Sequence, residues 1–343
     1  MARHTTLILG TPTGAFRAQV NGGEPTIEPL GLETGGGLRC PIVVDRKNPT
    51  TLFAGTVSAG VLRSDDAGKT WRAANSGLTR PEVWWLEQHP STGELWVGTS
   101  PAAIYHSADG GETWQECEQI QQLPRVPQWT FPQPPHIPHV KHISLRADDP
   151  SDILAAVEEG WLIRSRNGGV TWSNLTEGTE FDSHTAYFMP NDAQVIISTS
   201  GSGVYRSRDG GATFVESGEG MDRRYMAHLS VHASRPKVVF TAAASVPPPG
   251  WSRPEGARSA IYRSEDQGLH WSRLLGGLPE DLPAAPRAVA GDPSDPDRIC
   301  VGMTDGTVWM TEDGGESFRA ALRMEAGSNP RAAGVTSIRL VPD

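Results

Sequence analysis

One eight-residue pattern occurs six times along the chain and constrains the fold more than any other feature. It reads hydroxyl, any residue, Asp or Asn, any residue, Gly, any residue, usually Thr or Ser, and an aromatic residue. The copies occupy residues 64–71, 107–114, 165–172, 207–214, 264–271 and 311–318. Successive copies lie 42 to 58 residues apart, which is typical of a repeat protein built from one supersecondary unit per copy.

The chemistry of the pattern is that of a tight turn. The side chain of Asp66 can accept bonds from backbone N–H groups just ahead of it, and Gly68 suits a left-handed backbone. Asn167 takes the Asp position in the third copy, so the turn does not depend on a charge. The pattern resembles the Asp-box, or bacterial neuraminidase repeat, of sialidase-like β-propellers. We therefore interpret these residues as structural rather than as metal ligands or catalysts.

Each copy follows two short apolar runs, and a further run lies upstream, so one repeat predicts four strands, A to D, with the box between C and D. This is one propeller blade. Six blades are internal, and a seventh is expected from the two ends of the chain, 334–343 together with 1–37. The fold class predicted is therefore all-β, a seven-bladed propeller forming a single domain over 1–343. Its ring is closed by the C-terminal strand joining the N-terminal blade.

Two long intervals between boxes each hold about 15 residues more than the usual blade period. The surplus segments are 118–138, between strands D and A, and 245–259, between strands B and C. Both are rich in proline, which argues against strands. The D–A and B–C loops of a propeller share one face, whereas the boxes lie on the other. Substrate sites of sialidases lie on the first face, which is what the resemblance implies here.

Composition narrows the choice of partners and compartment. The net charge is −10 without a basic tract, so nucleic acid is not an expected partner. No apolar stretch reaches membrane-spanning length and no signal peptide is recognisable, so we expect no membrane association. The three cysteines are scattered and odd in number, which favours a reducing compartment. The expected location is the cytoplasm.

Histidines fall at similar places near the start of successive A strands. Alignment on the preceding turns puts His142, His184 and His228 at nearly equivalent positions on three consecutive blades, with His139 close by. Three imidazoles directed into one channel could hold Zn, Fe, Cu or Mn, with all four histidines as candidate ligands. A general base, a substrate clamp, or unrelated polar residues lining a wet channel are the alternatives.

Other candidates lie on the same face. Arg287 and Tyr225 join the three aligned histidines as candidate catalytic residues, and the candidate ligand-binding residues are Trp84, Trp129, Trp251, Arg223 and Arg224. Sialidases clamp a substrate carboxylate with three arginines and use a tyrosine–glutamate nucleophile. The Arg-Ile-Pro motif that this family carries ahead of the first box is absent here, which argues against true sialidase activity.

Three functions are consistent with these residues. The first is an intracellular enzyme of hydrolase or lyase type, acting on a small organic molecule at the channel mouth, with a His-bound divalent metal as one version. The second is a non-catalytic binding or assembly propeller, as the resemblance to photosystem assembly factors implies. The third is a glycoside hydrolase. The first predicts a deep pocket covered by the two insertions, whereas the second predicts an exposed, wide binding surface.

Overall fold

A computed structural model describes residues 4–32, 37–190, 192–325 and 334–341. These residues form seven four-stranded antiparallel sheets, which are the blades of a propeller, and the predicted fold class is confirmed. Of the composite blade's expected span, residues 1–3, 33–36, 342 and 343 lie outside the described residues. No helix in the described part of the chain is long and apolar enough to cross a membrane.

The strands are numbered in chain order, and the first strand of each blade lies innermost except in the composite blade. The composite blade contains β1 (Thr5–Thr11), β2 (Gly14–Val20), β3 (Thr26–Pro29) and β28 (Ser337–Val341). The next contains β4 (Val43–Val44), β5 (Leu52–Gly55), β6 (Val61–Ser64) and β7 (Arg72–Ala73). The third contains β8 (Glu82–Gln88), β9 (Leu95–Ser100), β10 (Ile104–Ser107) and β11 (Gln115–Glu116).

The remaining four blades repeat this order. The fourth contains β12 (His139–Leu145), β13 (Ile153–Glu158), β14 (Leu162–Ser165) and β15 (Ser173–Leu175). The fifth contains β16 (Ser183–Met189), β17 (Asp192–Ser200), β18 (Val204–Ser207) and β19 (Val215–Glu216). The sixth contains β20 (Tyr225–His232), β21 (Arg235–Ala244), β22 (Ala260–Ser264) and β23 (Ser272–Leu274). The seventh contains β24 (Pro286–Asp292), β25 (Asp295–Met303), β26 (Thr307–Thr311) and β27 (Arg319–Arg323).

The composite blade closes the ring. Strand β28 pairs with β1 in antiparallel register over Thr6–Gly10, so it fills the innermost position that the other blades give to their first strand. Closure removes the open sheet edges that would otherwise favour association with other chains. The strand expected to close the propeller is therefore the strand that closes it.

The boxes join neighbouring blades. In the second copy, Asp109 accepts bonds from the Thr113 backbone N–H (2.9 Å), the Thr113 hydroxyl (2.6 Å) and the Ser107 hydroxyl (2.8 Å). Trp114 then donates its indole N–H to the Ala74 carbonyl of the preceding blade, at 2.8 Å. Gly111 has a φ of 85°, the left-handed conformation that glycine adopts without strain.

The two insertions contain no strand but do contain short 3-10 helices. In the first they span Glu118–Gln122 and Val126–Gln128, and in the second Pro248–Gly250. Side chains from both reach the start of the inner strands: Phe131 contacts Trp84, and Trp251 contacts Tyr225. The insertions therefore add walls to one end of the central channel.

Candidate functional site

Five inner strands are interrupted by a β-bulge at the same place, near the strand start. The pairing register with the next strand shifts there, leaving residues without a direct partner. A bulge bends the strand and re-aims the side chain at the extra residue. The residues between the shifted pairs are Trp84, Lys141, His184, Ala227 with His228, and Arg287.

The bulge residues line a cavity at the channel mouth, and all seven blades contribute to it. Every bulge residue lines it, and Arg39 and Thr336 add the two blades that lack a bulge. The second insertion contributes Trp251. The cavity has a volume of about 320 Å³, which is within the range of small-molecule sites. We call it the mouth cavity.

The structure separates the three aligned histidines. Lys141, not His142, takes the bulge position equivalent to His184, because the true register differs by one residue from the sequence alignment. His142 lies instead in a ring cluster, with centroids 4.4 Å from Trp85, 4.4 Å from Tyr187 and 6.1 Å from His228. Burial holds the pKa of His142 well below its ordinary value, so this ring stays neutral.

The ring cluster lies beside a second cavity of about 350 Å³, nearer the box face. His142, Trp85 and Tyr187 line this second cavity, whereas His184 lines the mouth cavity. His228 lines both, so it touches channel solvent although protein surrounds it. The four candidate histidine ligands therefore occupy at least two environments rather than one coordination sphere.

A buried carboxylate organises the wall of the mouth cavity. Glu158, the last residue of β13, accepts a bond from His139 Nε2 at 2.6 Å and lies 2.7 Å from Lys141 Nζ. Burial alone would raise the pKa of Glu158, but Lys141 and His139 outweigh it and hold this pKa well below its usual range. Burial lowers the pKa of His139, against the influence of Glu158. We infer a charged Lys141–Glu158 pair with a neutral His139 donating to it.

His184 faces this carboxylate and a second one. Its Nδ1 lies 3.0 Å from the Met226 carbonyl oxygen, and its Nε2 lies 3.3 Å from Asp182 Oδ1 and 3.8 Å from Glu158 Oε1. Neither Nε2 nor Asp182 Oδ1 makes a hydrogen bond of acceptable geometry, although both atoms are buried. Burial alone would raise the pKa of Asp182, but His184 and Lys141 together lower it by more, so the net shift is downward. Both carboxylates are therefore ionised at neutral pH.

Cations and aromatic rings form the remaining walls. The Arg39 guanidinium lies 4.0 Å from the Trp84 ring centre, and the His139 ring stacks on Trp84 at 3.3 Å. The Arg287 guanidinium lies 4.7 Å from the Trp251 ring centre. Arg287 is open to the water of the channel, yet the surrounding protein partly desolvates it and lowers its pKa. An arginine nevertheless keeps its charge, because its ordinary pKa is far above neutrality.

The other predicted site residues divide between the cavity and elsewhere. Trp84, Tyr225, Trp251 and Arg287 line the mouth cavity. Trp129 is 8% exposed and packs within the hydrophobic core. Arg223 forms ion pairs with Asp222 and Asp281, and the exposed Arg224 pairs with Glu216. Neither of these two arginines is among the residues that line the mouth cavity.

Sequence reasoning did not single out Arg39, Lys141 or Glu158. Lys141 was hidden by the one-residue error in register. The signal for Glu158 was the acidic pair Glu158–Glu159 at the end of a B strand, because B–C turns share the face of the A-strand starts. Arg39 lies one residue before Cys40, which is buried and lies near the Gly55 carbonyl.

Comparison with known proteins gives the fold a wider context. A family model described as the BNR/Asp-box repeat matches residues 105–116. A search of curated proteins found no matching sequence. Among solved structures, the chain is similar to the GH74 enzyme of Niastella koreensis, with a TM-score of 0.63 and 19% identity over 82% of this chain and 44% of that one.

Two further structures extend the comparison. An ancestral GH74 enzyme has a TM-score of 0.62 and 16% identity, over 84% of this chain and 39% of that one. YCF48 bound to a D1 peptide has a TM-score of 0.57 and 16% identity, over 91% of this chain and 87% of that one. The chain spans less than half the length of the GH74 structures. At these identities the likeness concerns the fold, and the chain is a seven-bladed β-propeller with BNR/Asp-box repeat turns.

Proposed function

We propose that this protein is a cytoplasmic enzyme of hydrolase or lyase type, acting on a small organic anion in the mouth cavity. One observation carries the proposal: the bulges direct cationic, aromatic and proton-transferring side chains from separate blades into one cavity of about 320 Å³. Catalytic centres need this combination of a shaped cavity, charge to hold the ligand and a group that moves protons. Three buried, unpaired cysteines agree with a reducing compartment.

Charge and ring faces define the ligand. Arg287 stacks on Trp251, is open to the channel and lines the mouth cavity, so its charge is available to a ligand there. Arg39 stacks on Trp84 and lies 3.9 Å from Glu82, a loose and solvated pair. Guanidinium groups suit carboxylate or phosphate ligands, and tryptophan faces suit planar groups. A planar organic acid satisfies both.

His184 is the group we assign to proton transfer. Its Nδ1 is held by the Met226 carbonyl, which orients the ring, and its Nε2 lies on the side of Asp182. Orientation of an imidazole by a fixed acceptor is the usual arrangement for a general base. The role assigned is abstraction of a proton from bound ligand or from an attacking water.

Cavity size separates this proposal from a peptide-binding role of the kind that the YCF48 structure suggests. A drug-sized ligand fills a pocket of 300–1,000 Å³, whereas an extended peptide requires an open groove or sheet edge. The mouth cavity, at about 320 Å³, lies at the lower end of the small-molecule range.

The test is a binding and turnover experiment with matched arginine variants. Benzoate and phenyl phosphate serve as binding probes, followed by tryptophan fluorescence, because Trp84 and Trp251 line the cavity. Arg287→Gln should weaken probe binding by about tenfold or more, since a bond between charged groups contributes about 1.5–3 kcal/mol. Arg224→Gln, a surface arginine paired with Glu216, is the control and should bind normally.

Turnover is measured on 4-nitrophenyl monoesters of dicarboxylic acids. His184→Gln should retain probe binding and lose turnover. If the wild-type protein binds neither probe and cleaves none of these esters, the assignment of an anion-directed hydrolase is wrong.

Glycoside hydrolysis is a second candidate, and one side chain favours it. Burial, with the charges of Asp182 and Glu158, raises the pKa of Glu159, as a general acid requires. The likeness in fold to GH74 enzymes supports the same candidate. Glu159→Gln would then abolish release of 4-nitrophenol from a 4-nitrophenyl glycoside, whereas hydrolysis of the ester probes would continue.

A further inference from the structure

We propose that His184, Asp182 and Glu158 form a binding site for a divalent transition-metal ion on the wall of the mouth cavity. This differs from the histidine-only site expected from the sequence, because two of its three ligands are carboxylates and His142 and His228 take no part. The candidate donor atoms, one from each residue, all lie within 4.8 Å of one another. The metal site does not rest on the proposed reaction. In the metal-free protein Nε2 of His184 is free for the proton transfer proposed above, whereas with an ion bound it would be a ligand, and a water bound to the ion would supply the base.

The hydrogen bonds of His184 supply the first argument. A neutral imidazole has one N–H, and that of His184 is committed at Nδ1 to the Met226 carbonyl, 3.0 Å away. The lone pair of Nε2 is then directed at Asp182 Oδ1 and Glu158 Oε1, 3.3 and 3.8 Å away. The lone pairs of Nε2 and Asp182 Oδ1 repel one another at 3.3 Å unless a cation lies between them, whereas Glu158 Oε1 already has the Lys141 ammonium at 2.7 Å. The cation is either a second proton on the ring or a metal ion.

Burial makes this arrangement costly without a shared partner. His184 is 2% exposed and Glu158 7% exposed. His184 Nε2 and Asp182 Oδ1 are both buried polar atoms without a hydrogen bond. An unsatisfied buried polar group costs about 1–3 kcal/mol, so two facing each other at 3.3 Å require an explanation.

The two distances from His184 Nε2 are compatible with a metal ion as the shared partner. For an ion about 2.1 Å from each donor atom, the angle at the ion would be about 104° between His184 Nε2 and Asp182 Oδ1. The angle between His184 Nε2 and Glu158 Oε1 would be about 130°. Both angles suit a distorted tetrahedron. One nitrogen and two carboxylate oxygens match the preferences of Zn²⁺ and Mn²⁺. Three protein ligands would leave a position open toward the mouth cavity, which His184 lines.

The surroundings orient the donors as metal sites usually require. The Met226 carbonyl fixes the tautomer and plane of His184, and His139 donates to Glu158 Oε2, the oxygen not used for the ion. Outer partners of this kind typically contribute 10–100-fold to metal affinity. Lys141 would lower the metal affinity, because its ammonium lies 2.7 Å from Glu158 Oε1 and competes with the ion for that oxygen.

The test is metal binding by the full-length protein, independent of activity. Protein treated with a chelator is dialysed against Zn²⁺ or Mn²⁺, and the bound metal is determined by elemental analysis. About one ion per chain is expected, since the three residues form one site. His184→Ala and Asp182→Asn should each lower the affinity more than tenfold, and Lys141→Met should raise it several-fold.

A matched control separates this site from surface binding. Glu219 and His270 form an exposed carboxylate–histidine pair 3.5 Å apart, so Glu219→Gln should leave metal content unchanged. A thermal melt of each variant verifies folding. Absence of stoichiometric binding in the folded wild type, or equal binding by the Asp182→Asn protein, would overturn the metal site. Binding of the anion probes would be unaffected by that result, so the two proposals fail separately.

Discussion

The aspartate of each Asp-box accepts more hydrogen bonds than its exposed position would suggest. Asp109 takes three from Ser107 and Thr113, and these bonds, led by that from the Thr113 hydroxyl, lower its pKa from an ordinary 3.8 to about 2. Asn167 keeps the same turn without charge, since its Oδ1 accepts from the Thr171 N–H and its Nδ2 donates to the Thr171 hydroxyl. The turn therefore depends on hydrogen-bond geometry, and the charge adds only a dependence on pH.

Replacement of this aspartate should affect stability and not ligand binding. Asp109→Ala loses all three bonds and should lower the free energy of unfolding by about 1 kcal/mol or less, because the site is exposed to solvent. Asp109→Asn should lose less, as the box at Asn167 indicates. Denaturant unfolding at pH 7 measures both variants, and benzoate binding serves as the control. Loss of probe binding in a folded Asp109→Ala protein would contradict a purely structural role for the box.

The difference in stability between wild type and Asp109→Ala should depend on pH in a definite direction. The folded pKa of Asp109 is depressed, so its stabilisation is present above the unfolded value of about 3.8 and is lost as pH falls through about 2. The difference in stability between wild type and Asp109→Ala should therefore narrow between pH 4 and pH 2. A difference that stayed constant over this range would argue against the depressed pKa.

At the scale of elements, the bulges of the inner strands decide which side chains enter the channel. A bulge shifts the register by one residue and so exchanges the side chain that faces the channel with its neighbour. This is why the sequence identified His184 and Arg287 but chose His142 in place of Lys141. Local sequence pattern does not contain the position of a bulge, because the bulge depends on pairing with a strand that lies elsewhere in the chain. The partnership of Glu158 with His139 was invisible for the same reason.

The second insertion is anchored by one tryptophan. Trp251 donates to the Val246 carbonyl at 2.7 Å, and its ring contacts Tyr225 and Arg287. Trp251→Ala should loosen this loop and speed trypsin cleavage after the exposed Arg258 several-fold, without shifting the thermal melt of the sheets. Trp129→Ala, which removes the buried tryptophan of the other insertion, is the control. Equal cleavage of wild type and Trp251→Ala would indicate that other contacts hold the loop.

At the scale of the whole molecule, the repeat was sufficient to predict the architecture. Six boxes at blade-like intervals predicted a ring, and the two ends of the chain predicted a composite blade; both predictions are confirmed. The fold could be predicted because each box is a local turn that depends on eight consecutive residues only. The channel site could be predicted only in part, because its residues come from different blades.

Removal of the closing strand should open the ring. A chain ending at residue 333 lacks β28 and leaves the inner edge of β1 unpaired over Thr6–Gly10. We expect a lower melting temperature and a less cooperative transition, because the first and last blades lose their shared sheet. A chain ending at Val341 retains all of β28 and is the control. An unchanged cooperative melt in the shorter protein would show that β28 is dispensable for the ring.

The composite blade can form only late in synthesis, because its strands come from opposite ends of the propeller sequence. Strand β1 is made before its inner partner β28, and the 26 other strands of the described residues lie between them in the sequence. During synthesis the nascent protein therefore exposes an edge of β1 for as long as the rest of the propeller takes to emerge. At about 5–20 residues per second, the roughly 330 residues between the two strands take about 15–65 seconds to translate. Over that interval the edge is open to chaperones and to other nascent chains.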